Sequence, residues 1–170
     1  MKGVKTMSKI LDVAQYICAY YRELSNEPID EMKLHKLLYF AQREKLALLD
    51  EPLFTEELQG WIHGPVSPCV RANFERAEGI VVATSQISDE EKYIINNVMH
   101  QYCSIASWKL RELSHREISW QNSRRGLGLN DRGNQPLLLE DIREDAKKVK
   151  PFDSVWGMYY EDFDDEEGIA

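Results

Sequence analysis

The sequence predicts a mainly α-helical, compact multi-helix domain with a small two-stranded β element, followed by an acidic C-terminal tail. Apolar residues recur at helical spacing through most of the chain, and several of these segments follow clear helix-start signals. Only two short runs are rich in β-forming residues. With 170 residues, of which 43% are hydrophobic, the chain can bury one sizeable core. We expect the domain to span residues 8–150 and the tail to span residues 151–170.

The first two helices are predicted from Ser8 to Leu24 and from Asp30 to Leu49. Serine and aspartate are common N-cap residues, because their side chains accept hydrogen bonds from free backbone N–H groups. Apolar side chains cover most sides of the second segment, MKLHKLLYFAQREKLAL. A helix this apolar is expected to lie at the centre of the domain.

A turn-rich segment, GWIHGPVSPCV, follows the second helix, and we call residues 60–71 the corner. Gly64 can adopt backbone angles closed to other residues, while Pro65 and Pro68 fix φ. The chain is therefore expected to turn sharply and to hold Trp61 and His63 in fixed directions. A rigid turn with such side chains is typical of a surface that is presented to a partner.

Short helical and β segments are predicted around the corner. Ser67 is a good N-cap and Pro68 a good first helical residue, which predicts a helix from Pro68 to Ala77. Phe54 to Ile62 alternates weakly in hydropathy, and Ile80 to Thr84 is the other β-rich run. These two runs are expected to pair as a two-stranded ribbon around the intervening helix.

The remaining helices are predicted in the second half of the chain. Ser88 and Glu91 form an S-x-x-E capping box, the best-marked helix start in the sequence. Gly, Asn and Pro residues crowd positions 126–136, which predicts an exposed loop. Further helices are expected at Ser107 to Leu113, Glu117 to Arg124 and Leu139 to Val149.

Charge is distributed unevenly along the chain. The net charge is −8, yet residues 151–170 contain seven acids and no base, so the other 150 residues carry 21 bases against 22 acids. A nearly neutral body argues against direct nucleic-acid binding, which requires a basic face. No run reaches the roughly 20 apolar residues of a membrane span, and no signal peptide is evident. We expect a cytoplasmic protein that does not bind membranes.

Three sequence blocks resemble the Panacea domain, the SocA/GepA-like family of small bacterial and phage proteins. They are LHKLLYFAQ at residues 34–42, PLF with GWIHGPVSPCV at residues 52–70, and LSHREISWQNSRRG at residues 113–126. The chain departs from the family at Gly60 and Arg71, where alanine and tyrosine are frequent, so its corner surface is expected to differ. No added DNA-binding domain is expected, which argues against autoregulation of a promoter.

The resemblance implies a mainly helical antitoxin of a toxin–antitoxin pair, often carried by a prophage. Such a domain neutralises a cognate toxin encoded nearby by direct binding. As an alternative, one branch of the family acts as an adaptor that delivers its toxin to a Clp protease. An uncharacterised hydrolase is the less favoured third hypothesis.

The residues that could support chemistry do not form a known motif. The four histidines lack the i, i+4 or H-x-H spacing of a shared metal site, so no metal or cofactor is expected. A hydrolase could combine Cys69 or Ser67 with His63 or His115. No nucleophile elbow, phosphate-binding glycine loop or paired-carboxylate motif accompanies them. We therefore predict a protein that is not an enzyme.

The expected partner-binding residues lie in the corner and in the tail. They are Trp61, His63, Pro65, Val66 and Arg71 in the corner, and Trp156, Tyr159, Tyr160 and Phe163 in the tail. Disordered tails are usually poor in aromatic residues, so this tail is expected to dock, either on its own domain or on the partner.

Two further choices stay open from the sequence. Trp61 and Trp120 are either core anchors or binding residues, and both roles are compatible if the ring packs inside while its N–H meets a partner. Three arginines near Trp120 form either a basic rim for an acidic partner or a solvated helix face paired with Glu112 and Glu117. These arginines are Arg116, Arg124 and Arg125.

Overall fold

In a computed structural model of the chain, residues 8–83 and 85–150 are described, and the predicted tail lies outside them. The described residues form seven helices and a two-stranded antiparallel sheet, which confirms the mainly α class with minor β content. The elements, in chain order, are α1 (Lys9–Ser25), α2 (Glu31–Leu49), β1 (Gln59–Trp61), β2 (Gly64–Val66), α3 (Pro68–Asn73), α4 (Asp89–Tyr102), α5 (Ser107–His115), α6 (Ile118–Ser123) and α7 (Leu139–Lys147).

Helix α2 is the centre of the fold. It begins where the Asp30 side chain accepts a hydrogen bond from Lys33 N at 2.9 Å. Every residue from 33 to 46 is buried, because α1, α4, α5, α7 and the hairpin strand β2 surround the helix. A helix covered on all sides buries polar residues as well as apolar ones, so their pairing decides what each contributes.

The N-terminal ends of α1 and α4 show one predicted cap that fails and one that is confirmed. Ser8 precedes α1, but its hydroxyl donates to Glu56 Oε1 at 2.8 Å and makes no cap hydrogen bond. At α4, Ser88 Oγ accepts from Glu91 N at 3.2 Å, and Glu91 Oε1 accepts from Ser88 N at 3.0 Å. This reciprocal capping box sets the start of α4 as predicted.

The predicted strand pairing is wrong. The strand within Phe54 to Ile62 exists as β1, but its partner is β2, which follows after a loop of only two residues and pairs Trp61 with Gly64. Residues 80–83 form no strand, and Ile80 is buried in the core from a loop. β1 pairs with β2 because closing a two-residue connection costs less chain entropy than closing a ribbon around a helix.

Helix α3 is shorter than predicted. Ser67 Oγ accepts from Val70 N at 3.1 Å and Pro68 opens the helix, as the sequence suggested. The helix ends at Asn73 because Phe74 is extended, with φ −76° and ψ 130°. Val70 is fully buried, whereas Phe74 is half-buried and Ala77, beyond the end of the helix, is exposed.

Candidate functional site

The corner borders a cleft of about 720 Å³. The start of α2, the hairpin β1–β2, the exposed end of α3 and residues 132–134 enclose it. We call it the corner cleft. Its apolar lining comes from Met32, Trp61, Ile62 and Val66, and its charged lining from Glu31, Lys36, Arg71 and Arg132. A cleft that joins apolar and charged groups has the usual composition of a recognition site.

Trp61 and Arg71 form the aromatic and cationic wall of the cleft. The guanidinium carbon of Arg71 lies 5.2 Å from the centroid of the Trp61 ring. Arg71 Nη1 is 3.3 Å from both carboxylate oxygens of Glu31, and Trp61 Nε1 donates to Gln59 Oε1 at 3.0 Å. The Arg71 side chain is 53% exposed, so this wall faces solvent. Trp61 is therefore a half-buried surface residue here, whereas Trp120 is a core anchor.

The hairpin is held from behind by α6 and its preceding helix. Trp120 Nε1 donates to the carbonyl oxygen of Trp61 at 2.9 Å, and the His115 ring stacks on Trp120 at a centroid distance of 3.9 Å. A Cβ atom at Gly60 would lie 1.9 Å from Ser123 Oγ. Glycine at this position is therefore required by the close approach of α6.

Gly64 lets the hairpin settle directly on α2. Its φ of +105° lies in the region that favours glycine, and a Cβ there would be 2.6 Å from both Lys36 Cε and Ser114 Oγ. This close approach brings the Pro65 carbonyl oxygen within 3.1 Å of Lys36 Nζ. Gly64 is thus what allows a buried ammonium group to be held under the hairpin.

Lys36 lies at the base of the cleft and is only 1% exposed. Burial, reinforced by the nearby guanidinium of Arg111, lowers its pKa to about 7. The amine donates to the Pro65 carbonyl, and among the described residues no carboxylate forms an ion pair with it. A buried cationic group without an acid is costly, and its charge is readily exchanged near neutral pH.

His35 connects α2 to the start of α3. Its Nδ1 atom accepts from Ser67 N at 3.2 Å, so the neutral ring carries its proton on Nε2. Nε2 makes no hydrogen bond and lies 3.6 Å from Glu31 Oε1. Burial, with the charges of Lys36 and Arg71, lowers the His35 pKa to about 3, so the ring is neutral at physiological pH.

The five corner residues predicted for binding occupy different depths. Trp61, His63, Val66 and Arg71 all line the cleft, and His63 is exposed, with its Nδ1 accepting from Arg111 Nε at 3.0 Å. Pro65 is buried behind the lining and contributes its carbonyl oxygen to Lys36. The four predicted tail residues, Trp156, Tyr159, Tyr160 and Phe163, lie outside the described residues.

Arg124 fits neither interpretation of the arginine cluster. It is 7% exposed, and its guanidinium donates to the carbonyl oxygens of Gly60 at 3.1 Å, Gly128 at 3.0 Å and Asp131 at 2.6 Å. It therefore braces the 126–136 loop against β1, which places Arg132 at the cleft. Arg116 and Arg125 are exposed, whereas Glu112 pairs with Lys109 and Glu117 with Arg43.

Sequence reasoning missed three cationic residues of this region. The burial of Lys36 could have been predicted, because this residue interrupts the apolar run LHKLLYF of a helix that was expected to be central. Arg111 and Arg132 carried none, because their positions beside His63 and at the cleft depend on how α5 and the long loop pack. The part of the chain that the structure describes holds no group of three metal-ligating side chains and no helix long and apolar enough to span a membrane.

The fold and the cleft define a small, mainly helical domain with an aromatic and cationic recognition surface. The model of the SocA-like antitoxin family, the Panacea domain, matches residues 34–121. This range is more than half of the chain, and the chain belongs to that family. The match includes α2 from Leu34 onward, the hairpin, α3 and the wall formed by Trp61 and Arg71. No curated protein and no solved structure matches the chain.

Proposed function

We propose that this antitoxin-family protein neutralises a toxin encoded beside it by direct protein contact, with the corner cleft and its rim as the binding surface. The observation that carries the proposal is the exposed wall of Trp61 and Arg71 within the family domain. Trp and Arg are the residues most enriched at energetic hot spots of protein interfaces. The exposed His63 extends this surface, and the buried Val66 and Pro65 support it from below. The tail residues Trp156, Tyr159, Tyr160 and Phe163 are proposed as a second contact.

The rigidity of the wall supports this role. Trp61 is fixed through its carbonyl by Trp120 and through its ring nitrogen by Gln59. Arg71 extends from a capped helix and is held over the ring by Glu31. Side chains that are ordered before binding lose little conformational entropy on association, which favours affinity.

The first experiment is co-expression with the neighbouring open reading frame. We expect its product to arrest growth alone and to be harmless together with this chain. Trp61→Ala should weaken the complex by at least about 30-fold, because truncation of a hot-spot aromatic costs about 2 kcal/mol or more. Trp108→Ala is the matched control, since Trp108 is 63% exposed and does not line the cleft. Toxicity that persists in the presence of the unaltered chain would refute the proposal.

We also propose that neutralisation requires no catalysis by this chain. The Ser67 hydroxyl is used as the α3 cap, and the Nδ1 atoms of His35 and His63 already accept hydrogen bonds from Ser67 N and Arg111. Folded Cys69→Ala and His63→Ala variants that still bind the toxin should still protect cells. Lost protection with unchanged binding would favour the hydrolase hypothesis instead.

Toxin lifetime distinguishes direct neutralisation from the adaptor alternative. Under direct neutralisation, the half-life of the toxin is unchanged by this chain and is the same in a Clp-deficient host. An adaptor would shorten the half-life, and loss of the Clp protease would restore it. A pulse-chase measurement with and without the chain decides between the two.

A further inference from the structure

The corner cleft is cationic on a chain that is strongly acidic overall. Three basic residues, Lys36, Arg71 and Arg132, and one acidic residue, Glu31, line it. The chain as a whole carries a net charge of −8. A local excess of positive charge in a concave site concentrates field lines and favours an anionic group.

Comparison with the other buried lysines of α2 shows what is unusual about Lys36. Lys45 lies 3.7 Å from Glu90 and 4.0 Å from Glu51, so its charge is compensated. Lys33 donates to the carbonyl oxygen of Cys103 at 2.8 Å and faces the ring of Tyr21 at 5.2 Å. Lys36 combines a single carbonyl contact with a place in the cleft lining. Its ammonium group can therefore donate further hydrogen bonds at the base of the cleft.

The carboxylate of Glu31 shows how an acid fits among the remaining donors. It contacts Arg71 Nη1 at 3.3 Å and approaches His35 Nε2 at 3.6 Å, and both distances are longer than a good charge-assisted hydrogen bond. The His35 Nε2 atom is buried and lacks a hydrogen-bond acceptor in the described structure. Arg71 uses only Nη1 in this contact and its side chain is 53% exposed, so a second carboxylate can reach its other N–H donors without moving the side chain.

We infer that the corner cleft binds an acidic segment of the toxin, with a side-chain or terminal carboxylate placed between Lys36 and Arg71. This inference rests on the proposed function, since it names the chemistry of the partner segment at the same surface. Met32 and Ile62 accommodate the apolar neighbours of that carboxylate, and Arg132 adds charge at the rim. The chain's own acidic tail is the competing occupant, but direct neutralisation requires a cleft that is open to the toxin.

The test is isothermal titration of the full-length chain with the purified product of the neighbouring gene. Lys36→Met and Arg71→Gln should each weaken binding by at least 10-fold. Lys33→Met and Arg143→Gln are the matched controls, a buried lysine of the same helix and an exposed arginine remote from the cleft, and both should leave the affinity unchanged. Arg71→Gln keeps the test decisive even if Lys36→Met fails to fold.

Each other outcome has a distinct meaning. Equal affinity for Arg71→Gln and the unaltered chain would overturn the inference and leave the proposed function standing. Tighter toxin binding by Arg71→Gln would also overturn it, since that result means the cleft holds the chain's own acidic tail. Failure of the unaltered chain to bind the toxin at all would refute the proposed function and this inference together.

Proton uptake provides a readout that a merely structural role would not move. A carboxylate beside Lys36 stabilises its protonated form, so binding at pH 7.5 should take up about three quarters of a proton per complex. The titration is repeated in buffers of different ionisation enthalpy. The uptake should vanish in Lys36→Met and persist in Lys33→Met, and uptake that persists in Lys36→Met would contradict the placement of the carboxylate. The titratable and charged groups around Lys36 are Asp30, Glu31, His35, Arg111 and His115.

Discussion

The two halves of helix α2 bury polar side chains in opposite ways. In the C-terminal half, Arg43 pairs with Glu117 at 2.8 Å and Lys45 pairs with Glu90 at 3.7 Å. In the N-terminal half, Lys36 has no acidic partner in the described structure, and the His35 Nε2 atom has no hydrogen-bond acceptor there. The buried cations of the C-terminal half are therefore paired with acids, although Arg43 Nε lacks an acceptor among the described residues, while Lys36 and His35 keep donors beside a cleft.

The ion pair of Arg43 and Glu117 is part of a hydrogen-bond network that also includes Tyr39, near the middle of α2. The Tyr39 hydroxyl oxygen lies 2.8 Å from Glu117 and 3.0 Å from Asp145, and Asp145 accepts from the backbone N–H groups of Ile118 and Ser119 at 2.8 and 3.0 Å. A residue of α7 thus supplies the cap for α6 and fixes both against α2. Buried polar networks are costly to leave unsatisfied, and Arg43 Nε already lacks an acceptor among the described residues, so the loss of Glu117 should be costly.

The largest expected effect on stability comes from a substitution that breaks this network. Glu117→Gln removes the partner of the buried Arg43 guanidinium and should lower the free energy of unfolding by about 3–5 kcal/mol. Urea denaturation followed by circular dichroism measures it. Glu112→Gln is the control, because its exposed pair with Lys109 contributes little. A loss below 1 kcal/mol for Glu117→Gln would show that the two halves of α2 do not differ in this way.

The second expected effect is a change in the free energy of unfolding with pH, caused by the titration of Lys36. The unfolded chain keeps this proton up to the ordinary pKa of 10.5, whereas the folded chain releases it near pH 7. Between these values the unfolded state binds more protons, so stability rises with pH, and below pH 7 the contribution is constant.

From pH 7 to pH 9, the unaltered chain should gain about 2 kcal/mol relative to Lys36→Met, since one pKa unit is worth about 1.4 kcal/mol. Denaturation series at pH 7, 8 and 9 give the difference. Lys33→Met should run parallel to the unaltered chain. If the stability of Lys36→Met changed with pH in the same way as that of the unaltered chain, the Lys36 ammonium would have a compensating negative charge in solution.

A third effect appears on the acid side of the pH profile. Burial lowers the pKa of His115 from 6.5 to about 4, so the folded state resists protonation and stability falls as the pH drops from 6.5 toward 4. His115→Phe keeps a ring on Trp120 but cannot titrate. Its stability should fall less between pH 6.5 and pH 5, by no more than about 1 kcal/mol, because the imidazole is only partly buried and solvent screens part of the effect. An identical acid profile for the two proteins would contradict the burial of this imidazole.

The helices and their caps were predictable where the signal is local. Asp30 and the pair Ser88 and Glu91 satisfy backbone donors within three residues, so sequence alone located the starts of α2 and α4. The pairing of β1 was not predictable from β propensity, because Ile80 is apolar for core packing and not for a sheet. A two-residue connection decided the pairing instead.

The candidate site was predictable only in part for the same reason. The sharp turn of the corner was predicted from Gly64, Pro65 and Pro68. In the structure, Trp61 and Arg71 of the corner line a cleft. The rest depends on contacts between residues far apart in the chain. Gly60 is required because Ser123 packs against it. Arg132 lies at the cleft because Arg124 holds the loop that contains it. No local sequence pattern predicts contacts between residues so far apart in the chain.

The smallest expected effects compare two exposed ion pairs at the ends of α2. Arg71 pairs with Glu31 near its start, and Arg143 pairs with Asp50 just after its end, with the arginine side chains 53% and 40% exposed. Surface pairs contribute about 0–1 kcal/mol, so Arg71→Gln and Arg143→Gln should each change the free energy of unfolding by less than about 0.5 kcal/mol.

The two variants should nevertheless differ in binding. Arg71→Gln removes a cation from the wall of the corner cleft and weakens the toxin complex, while Arg143→Gln leaves the affinity unchanged. Thermal denaturation and titration of the same preparations separate stability from recognition. If Arg71→Gln destabilised the fold by as much as Glu117→Gln, its lost binding would reflect unfolding, and the N-terminal half of α2 would be as structural as the other.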